Sequence, residues 1–140
     1  INISKKKSMS LSDQFCVERH KKSFFDLVKN KLDITFANEQ EILSLINAKD
    51  FDEAISFSKE TGKLIIITRS EKGSVAVDKG KIYKCESEKN LKIKDLTGAG
   101  DLYAAGFLHG YINNFSIEES LKKGTEMASK IIQKIGARLK

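Results

Sequence analysis

The sequence is poor in the residues that mark several common functions. Its 140 residues include only two cysteines, Cys16 and Cys85, far apart and without Cys-x-x-Cys spacing. That argues against a zinc knuckle and a disulfide framework, and reduced cytosolic thiols are the simplest reading. The two histidines, His20 and His109, stand alone and read as packing or surface residues rather than ligands. No apolar run approaches the about 20 residues needed to span a bilayer. No signal-peptide pattern is visible either, so a cytoplasmic protein without a membrane partner is expected. Neither an internal repeat nor a low-complexity tract nor an interdomain linker is present. Charge is one-sided, +6 from 25 Lys and Arg against 19 Asp and Glu, but the lysines are dispersed. Lys5-Lys6-Lys7 is the only basic triplet, and no aromatics interleave with it to stack bases. A solvated lysine-rich surface is expected, and no nucleic-acid partner.

What is present is an alternation of strands and helices. Ser8 to Leu11 reads as a short strand, and Phe24, Phe25, Leu27 and Val28 give a helical stripe over about Val17 to Lys29. Leu32 to Ala37 reads as a buried strand, after which Asn38 caps a helix from Glu39 to about Ile46. Asp50 caps another, stopped by Gly62, and Lys63 to Thr68 is the clearest strand. Ser74 to Val77 and Lys81 to Cys85 flank Asp78-Lys79-Gly80 as a hairpin. After a charged loop to Lys94, two helices complete the chain: Gly100 to about Ile112, and Ser116 to about Lys134 with a capping box from Ser116 to Glu119. The pattern predicts an α/β fold with a mostly parallel sheet.

The chemistry concentrates in Asp95-Leu96-Thr97-Gly98-Ala99-Gly100-Asp101. Two glycines allow a sharp turn and close approach of backbone N–H groups to a ligand. The helix that follows would point its free N–H groups and positive dipole end at that turn, which is an anion site. A carboxylate there suits a hydroxyl that must lose its proton, so Asp101 reads as a general base beside an anion hole. A second reading stands beside it, in which the glycines form an ordinary loop and Asp101 is only the helix N-cap. A dinucleotide fingerprint fails because Tyr103 occupies the place of its third glycine. A Walker loop is absent, since no glycine is followed after four residues by Gly-Lys-Ser/Thr.

The segment resembles the D-T-x-G-A-G-D signature of the ribokinase-like, or PfkB, family of carbohydrate and nucleoside kinases, with Leu96 where that family usually has a small hydroxyl residue or proline. The resemblance implies that Asp101 is the catalytic base and that Gly98, Ala99 and Gly100 form the anion hole. It also implies that carbonyls near Asp95 and Thr97 help hold a monovalent cation such as K⁺. Two further segments match in chain order. Asn38 and Glu41 fall on the family's N-x-x-E motif, whose Glu organises Mg²⁺ and its waters; on the residues alone this is an N-capped helix. Thr68-Arg69-Ser70-Glu71-Lys72-Gly73 resembles T-x-G-x-x-G, with Ser70 for the first glycine, and implies ATP contacts by Thr68, Ser70 and Gly73. Without the resemblance it is a strand-to-hairpin turn. Thr125 falls on the helix that walls the adenine pocket in relatives.

The resemblance therefore implies a three-layer ribokinase-like fold and phosphoryl transfer from ATP, with Mg²⁺, to a primary hydroxyl of a sugar or nucleoside. The segment Leu11 to His20 looks most like a bacterial branch of adenosine or sugar kinases, which favours the adenosine 5′-hydroxyl over ribose or another sugar. Family members are longer and residue 1 is Ile. Residues 1–140 are thus expected to be the C-terminal nucleotide-binding portion of one ribokinase-like domain, lacking the N-terminal acceptor-binding part and lid. That missing part is the expected partner, with a homodimer left open. A nucleotide-binding dehydrogenase and a non-catalytic binding or interaction fragment are the alternatives.

Overall fold

A computed structural model describes residues 5–138. The chain forms an α/β fold with a mainly parallel five-stranded sheet of order β1-β2-β3-β4-β5. The strands are β1 (Ser8–Ser10), β2 (Ile34–Asn38), β3 (Leu64–Thr68), β4 (Ser74–Asp78) and β5 (Lys81–Cys85). β1 and β2 run parallel, with Ser8 opposite Ile34 and Ser10 opposite Phe36. The helices are α1 (Gln14–Arg19), α2 (Lys21–Asp26), α3 (Glu39–Ile46), α4 (Phe51–Thr61), α5 (Ala99–Ile112) and α6 (Ile117–Ile132).

By contact density the chain divides into two compact units. One holds the residues up to Ile67 together with Val77–Ile82; the other holds Thr68–Ala76 and the chain from Tyr83 onward. The core of the first is aliphatic, with Leu11, Val17, Val28, Ile42, Leu45 and Ile65 all fully or nearly fully buried. β2 and β3 are buried almost throughout, which is why they read as continuous apolar runs rather than alternating ones. Asp50 caps α4 by accepting from the Glu53 N–H at 3.0 Å, and Gly62 ends it in the left-handed conformation, φ 65°.

One expectation needs correction. The helix expected over about Val17 to Lys29 is broken at His20, whose φ of −123° and ψ of 33° leave the helical region. The chain restarts as α2 and ends in a π turn, Leu27–Lys31. There the Leu32 N–H donates to the Leu27 carbonyl at 2.8 Å. Apolar spacing reports which residues face a core; Val28 and Leu32 do so here without one continuous helix.

In the second unit α5 and α6 pack against each other. A Cβ on Gly106 would lie 2.6 Å from the Lys123 carbonyl oxygen, so the backbones meet closely. α6 begins with the expected capping box: the Glu119 N–H donates to Ser116 Oγ, and the Ser116 N–H donates to Glu119 Oε2. The β4–β5 hairpin turns through Lys79 and Gly80, both at positive φ (49° and 83°), as a two-residue turn between twisted strands requires.

Candidate active site

The signature segment folds as a turn held by its own first residue. Asp95 Oδ1 accepts from the Thr97 N–H at 2.9 Å and from the Thr97 hydroxyl at 2.6 Å. These bonds, with a third from the Gly136 N–H to Oδ2, hold the Asp95 carboxyl below its ordinary value of 3.8. The Ala99 N–H then donates to the Leu96 carbonyl, closing the turn at 3.2 Å. Leu96, standing where a hydroxyl or proline was expected, is two-thirds exposed and takes part only through its backbone and its apolar surface.

Gly98 is the N-cap of α5 at φ 78°, a left-handed conformation that a side chain would strain. Asp101 is therefore not the N-cap, and that reading of the segment is removed: it occupies the third position of the helix. Its side chain is exposed and has no hydrogen-bond or ion-pair partner among the described residues. Nor do the Gly100 and Asp101 N–H groups have an acceptor there, as the first turn of a helix leaves them. The space where a Gly100 Cβ would stand is open.

Beside this turn, wholly within the second unit, lies a cleft of about 340 Å³. Of the residues singled out in the sequence, Thr68, Ser70, Gly73, Ala99, Gly100 and Thr125 line it. Gly98 and Asp101 flank that lining in the chain, whereas Asp95 and Thr97 shape the turn from behind. Ser70, standing for a glycine, is at φ 53°, so the backbone there keeps the conformation glycine favours. Gly73 is at φ 83°, and a Cβ on it would overlap the Cys85 carbonyl oxygen; no other residue fits. The Arg69 N–H closes that loop onto the Gly73 carbonyl at 2.8 Å.

Sequence reasoning missed much of the wall. Leu91, Ile93, Leu96 and Ile132 supply apolar surface; Ser74, Ser87, Ser129 and Tyr103 line it too. The loop before Lys94 reads as merely charged, although Leu91 and Ile93 alternate with lysines, a pattern that marks one apolar face. The Ser87 hydroxyl donates to the Glu71 carbonyl at 2.7 Å, tying that loop to the one ending at Gly73. The Thr125 hydroxyl donates to the Leu121 carbonyl at 3.0 Å and lies 3.7 Å from Cys85 Sγ.

Asn38 and Glu41 belong to the first unit and form a reciprocal cap. The Glu41 N–H donates to Asn38 Oδ1 at 2.8 Å, the Asn38 N–H to Glu41 Oε2 at 2.9 Å, and Asn38 Nδ2 to Oε1 at 3.1 Å. Glu41 is only 5% exposed, and burial raises its carboxyl above the usual range despite these donors. No cluster of three or more metal-ligating side chains exists among the described residues. A divalent ion would thus take most of its coordination from water and phosphate oxygens, the habit of Mg²⁺. For a nucleotide the residues fit: hydroxyls, unpaired amides at a helix start and an apolar wall share one cleft. Among the described residues no helix is long and apolar enough to cross a membrane.

Comparison with known proteins shows the family of the chain. The pattern of the pfkB family carbohydrate kinases matches residues 4–140. A cytidine kinase of Thermococcus kodakarensis is 35% identical over 111 residues, covering 78% of this chain and 40% of that protein. Adenosine kinase from Sinorhizobium meliloti superposes with a TM-score of 0.92 at 42% identity, covering 96% of this chain and 42% of that one. A probable sugar kinase from Rhizobium etli matches equally, with 41% of its chain covered. The chain thus spans about two fifths of the length of the relatives it matches. With the family pattern running over nearly all of its length, the chain belongs to the pfkB family of carbohydrate kinases.

Proposed function

We propose that this chain is the C-terminal, nucleotide-holding portion of a kinase that transfers the terminal phosphoryl group of ATP to a primary hydroxyl of a sugar or nucleoside. The observation that carries the reading is local. One cleft is lined by the Thr68–Gly73 loop and by the first turn of a 14-residue helix, and that turn also carries a carboxylate, Asp101, without a partner among the described residues. Asp101 takes the proton of the acceptor hydroxyl as its oxygen attacks. The anion hole of Gly98, Ala99 and Gly100, at the positive end of α5, stabilises charge developing on the phosphoryl oxygens, with the Gly98 and Gly100 amides as donors while that of Ala99 closes the turn.

Thr68, Ser70 and Gly73 contact the nucleotide, and Thr125 sits beside its base. Bound Mg²⁺ would neutralise phosphate charge, with Glu41, steadied by Asn38, ordering its waters. Carbonyls near Asp95 and Thr97 are candidates for a monovalent cation such as K⁺. Adenosine is the favoured acceptor, supported by the likeness to the Sinorhizobium enzyme; ribose or another sugar is the alternative. The setting is cytoplasmic, and the acceptor side comes from an N-terminal part of the same protein.

The short span relative to relatives favours a second reading, a non-catalytic nucleotide-binding or interaction fragment of a split kinase. ADP release by the complete protein, offered MgATP with adenosine, other nucleosides, ribose or fructose, separates the two. Acceptor-dependent release supports the kinase. Nucleotide binding without release for any acceptor supports the fragment.

A further inference from the structure

Tyr103 has no part in the mechanism above, yet it is the one buried aromatic in the lining of the cleft. It stands two residues beyond Asp101 and one turn beyond Ala99 and Gly100 on α5. Its hydroxyl donates to Ser74 Oγ at 2.7 Å, and both residues are nearly fully buried, 5% and 2% exposed. Ser74 begins β4 and directly follows Gly73, where a side chain would run into the Cys85 carbonyl oxygen. On its other side the Tyr103 ring lies against Gly124 of α6, where a Cβ would come within 3.0 Å of Cε1 and Cζ. The ring is thus seated against Gly124, and its hydroxyl makes its shortest bond to Ser74, with the Leu121 carbonyl at 3.5 Å as a longer second acceptor.

We propose that the Tyr103–Ser74 hydrogen bond sets the spacing between the first turn of α5 and the loop that ends at Gly73, making Tyr103 a positioning residue for the phosphate end of the nucleotide. The inference rests on the reading of the cleft as a nucleotide site. Phosphates gripped from two sides need both grips at a fixed separation, and displacement by an ångström is costly. A hydroxyl pair sealed from water holds that separation better than a solvated contact, because neither oxygen has a competing partner in water. Burial also pushes the Tyr103 hydroxyl up to about 12, so it stays a neutral donor at every working pH and moves no proton itself.

The test is steady-state kinetics and thermal melting of the complete protein as wild type, Tyr103→Phe, Ser74→Ala and the double variant. The expected result is a rise of about tenfold in KM for MgATP in each single variant, with kcat and the KM of the acceptor within about twofold. The double variant, which leaves no buried hydroxyl unpaired, should be no worse than either single one. A packing role alone would lower the melting temperature and leave the KM for MgATP unmoved, which overturns the tie. Additive losses in the double variant overturn it as well. If one single variant does not fold, the other and the double variant carry the same comparison. A wild type that neither binds MgATP nor turns over any acceptor sinks the nucleotide reading itself. A wild type with a measurable KM that Tyr103→Phe leaves unchanged sinks only the tie.

Discussion

The Gly136 N–H donates to Asp95 Oδ2 at 2.9 Å across 41 residues of sequence. Ala137, the next residue, packs on the glycine turn so closely that a Cβ on Gly98 would lie 2.9 Å from its Cβ. The Lys94 N–H reaches the Ile132 carbonyl at 2.8 Å just before. The first carboxylate of the signature is thus a clasp: one oxygen closes the turn through Thr97, and the other holds the segment after α6 against it.

Because these donors depress the Asp95 carboxyl below 3.8, its ionised form contributes stability that is present at neutral pH and lost as pH falls through the folded value. Asp95→Asn should melt below wild type at pH 7. The gap should begin to narrow below about pH 5 and go on narrowing as pH falls through the folded value. Melting curves across that range check it, and a gap independent of pH contradicts the clasp.

Gly73→Ala forces a side chain into a left-handed backbone and onto the Cys85 carbonyl. A loss of about 2–4 kcal/mol in denaturant unfolding is expected, together with weakened MgATP binding. Gly100→Ala is the control, since open space surrounds its Cβ position. Its stability should change by less than about 1 kcal/mol.

Asp101→Asn removes a proton acceptor without touching any contact made by the described residues. In the complete protein kcat should fall by about 10²–10⁴ while KM for MgATP stays within about threefold. Near-normal turnover would show that another group takes the proton.

Glu41→Gln separates capping from charge. Glutamine can keep the backbone bonds of the reciprocal cap but not the bond from Asn38 Nδ2, while burial already disfavours the ionised carboxyl, so stability should change by less than about 1 kcal/mol. The sign is opposite to that at Asp95: stability tied to the raised Glu41 carboxyl is full at low pH and declines as pH rises through its folded value. If Glu41 also orders the waters of Mg²⁺, the Mg²⁺ concentration needed for half-maximal activity of the complete protein should rise about tenfold. Glu41→Ala should additionally cost about 1 kcal/mol through loss of the cap. An unchanged Mg²⁺ requirement in Glu41→Gln would leave the residue as a cap alone.

The elements that sequence reading located well are those whose cause is local. Asn38, Asp50 and Ser116 cap helices because a short polar side chain satisfies an N–H three residues on. Lys79-Gly80 turns a hairpin because both residues accept positive φ. The break at His20 has no such marker, and it falls in Glu18 to Ser23, a polar stretch with no apolar position to show where the helix stops.

The site divides along the same line. Its glycine turn and helix start were determined by residues 95–101, because turn and dipole are properties of neighbours in the chain, whereas the structure decided that Gly98 and not Asp101 is the N-cap. The clasp from Asp95 to Gly136, the tie from Tyr103 to Ser74 and the meeting of Ile132 with the Leu91–Ile93 face in one cleft were decided only by the tertiary structure. Each joins residues far apart in sequence. Burial and distance, which give those pairs their strength, have no trace in residue order.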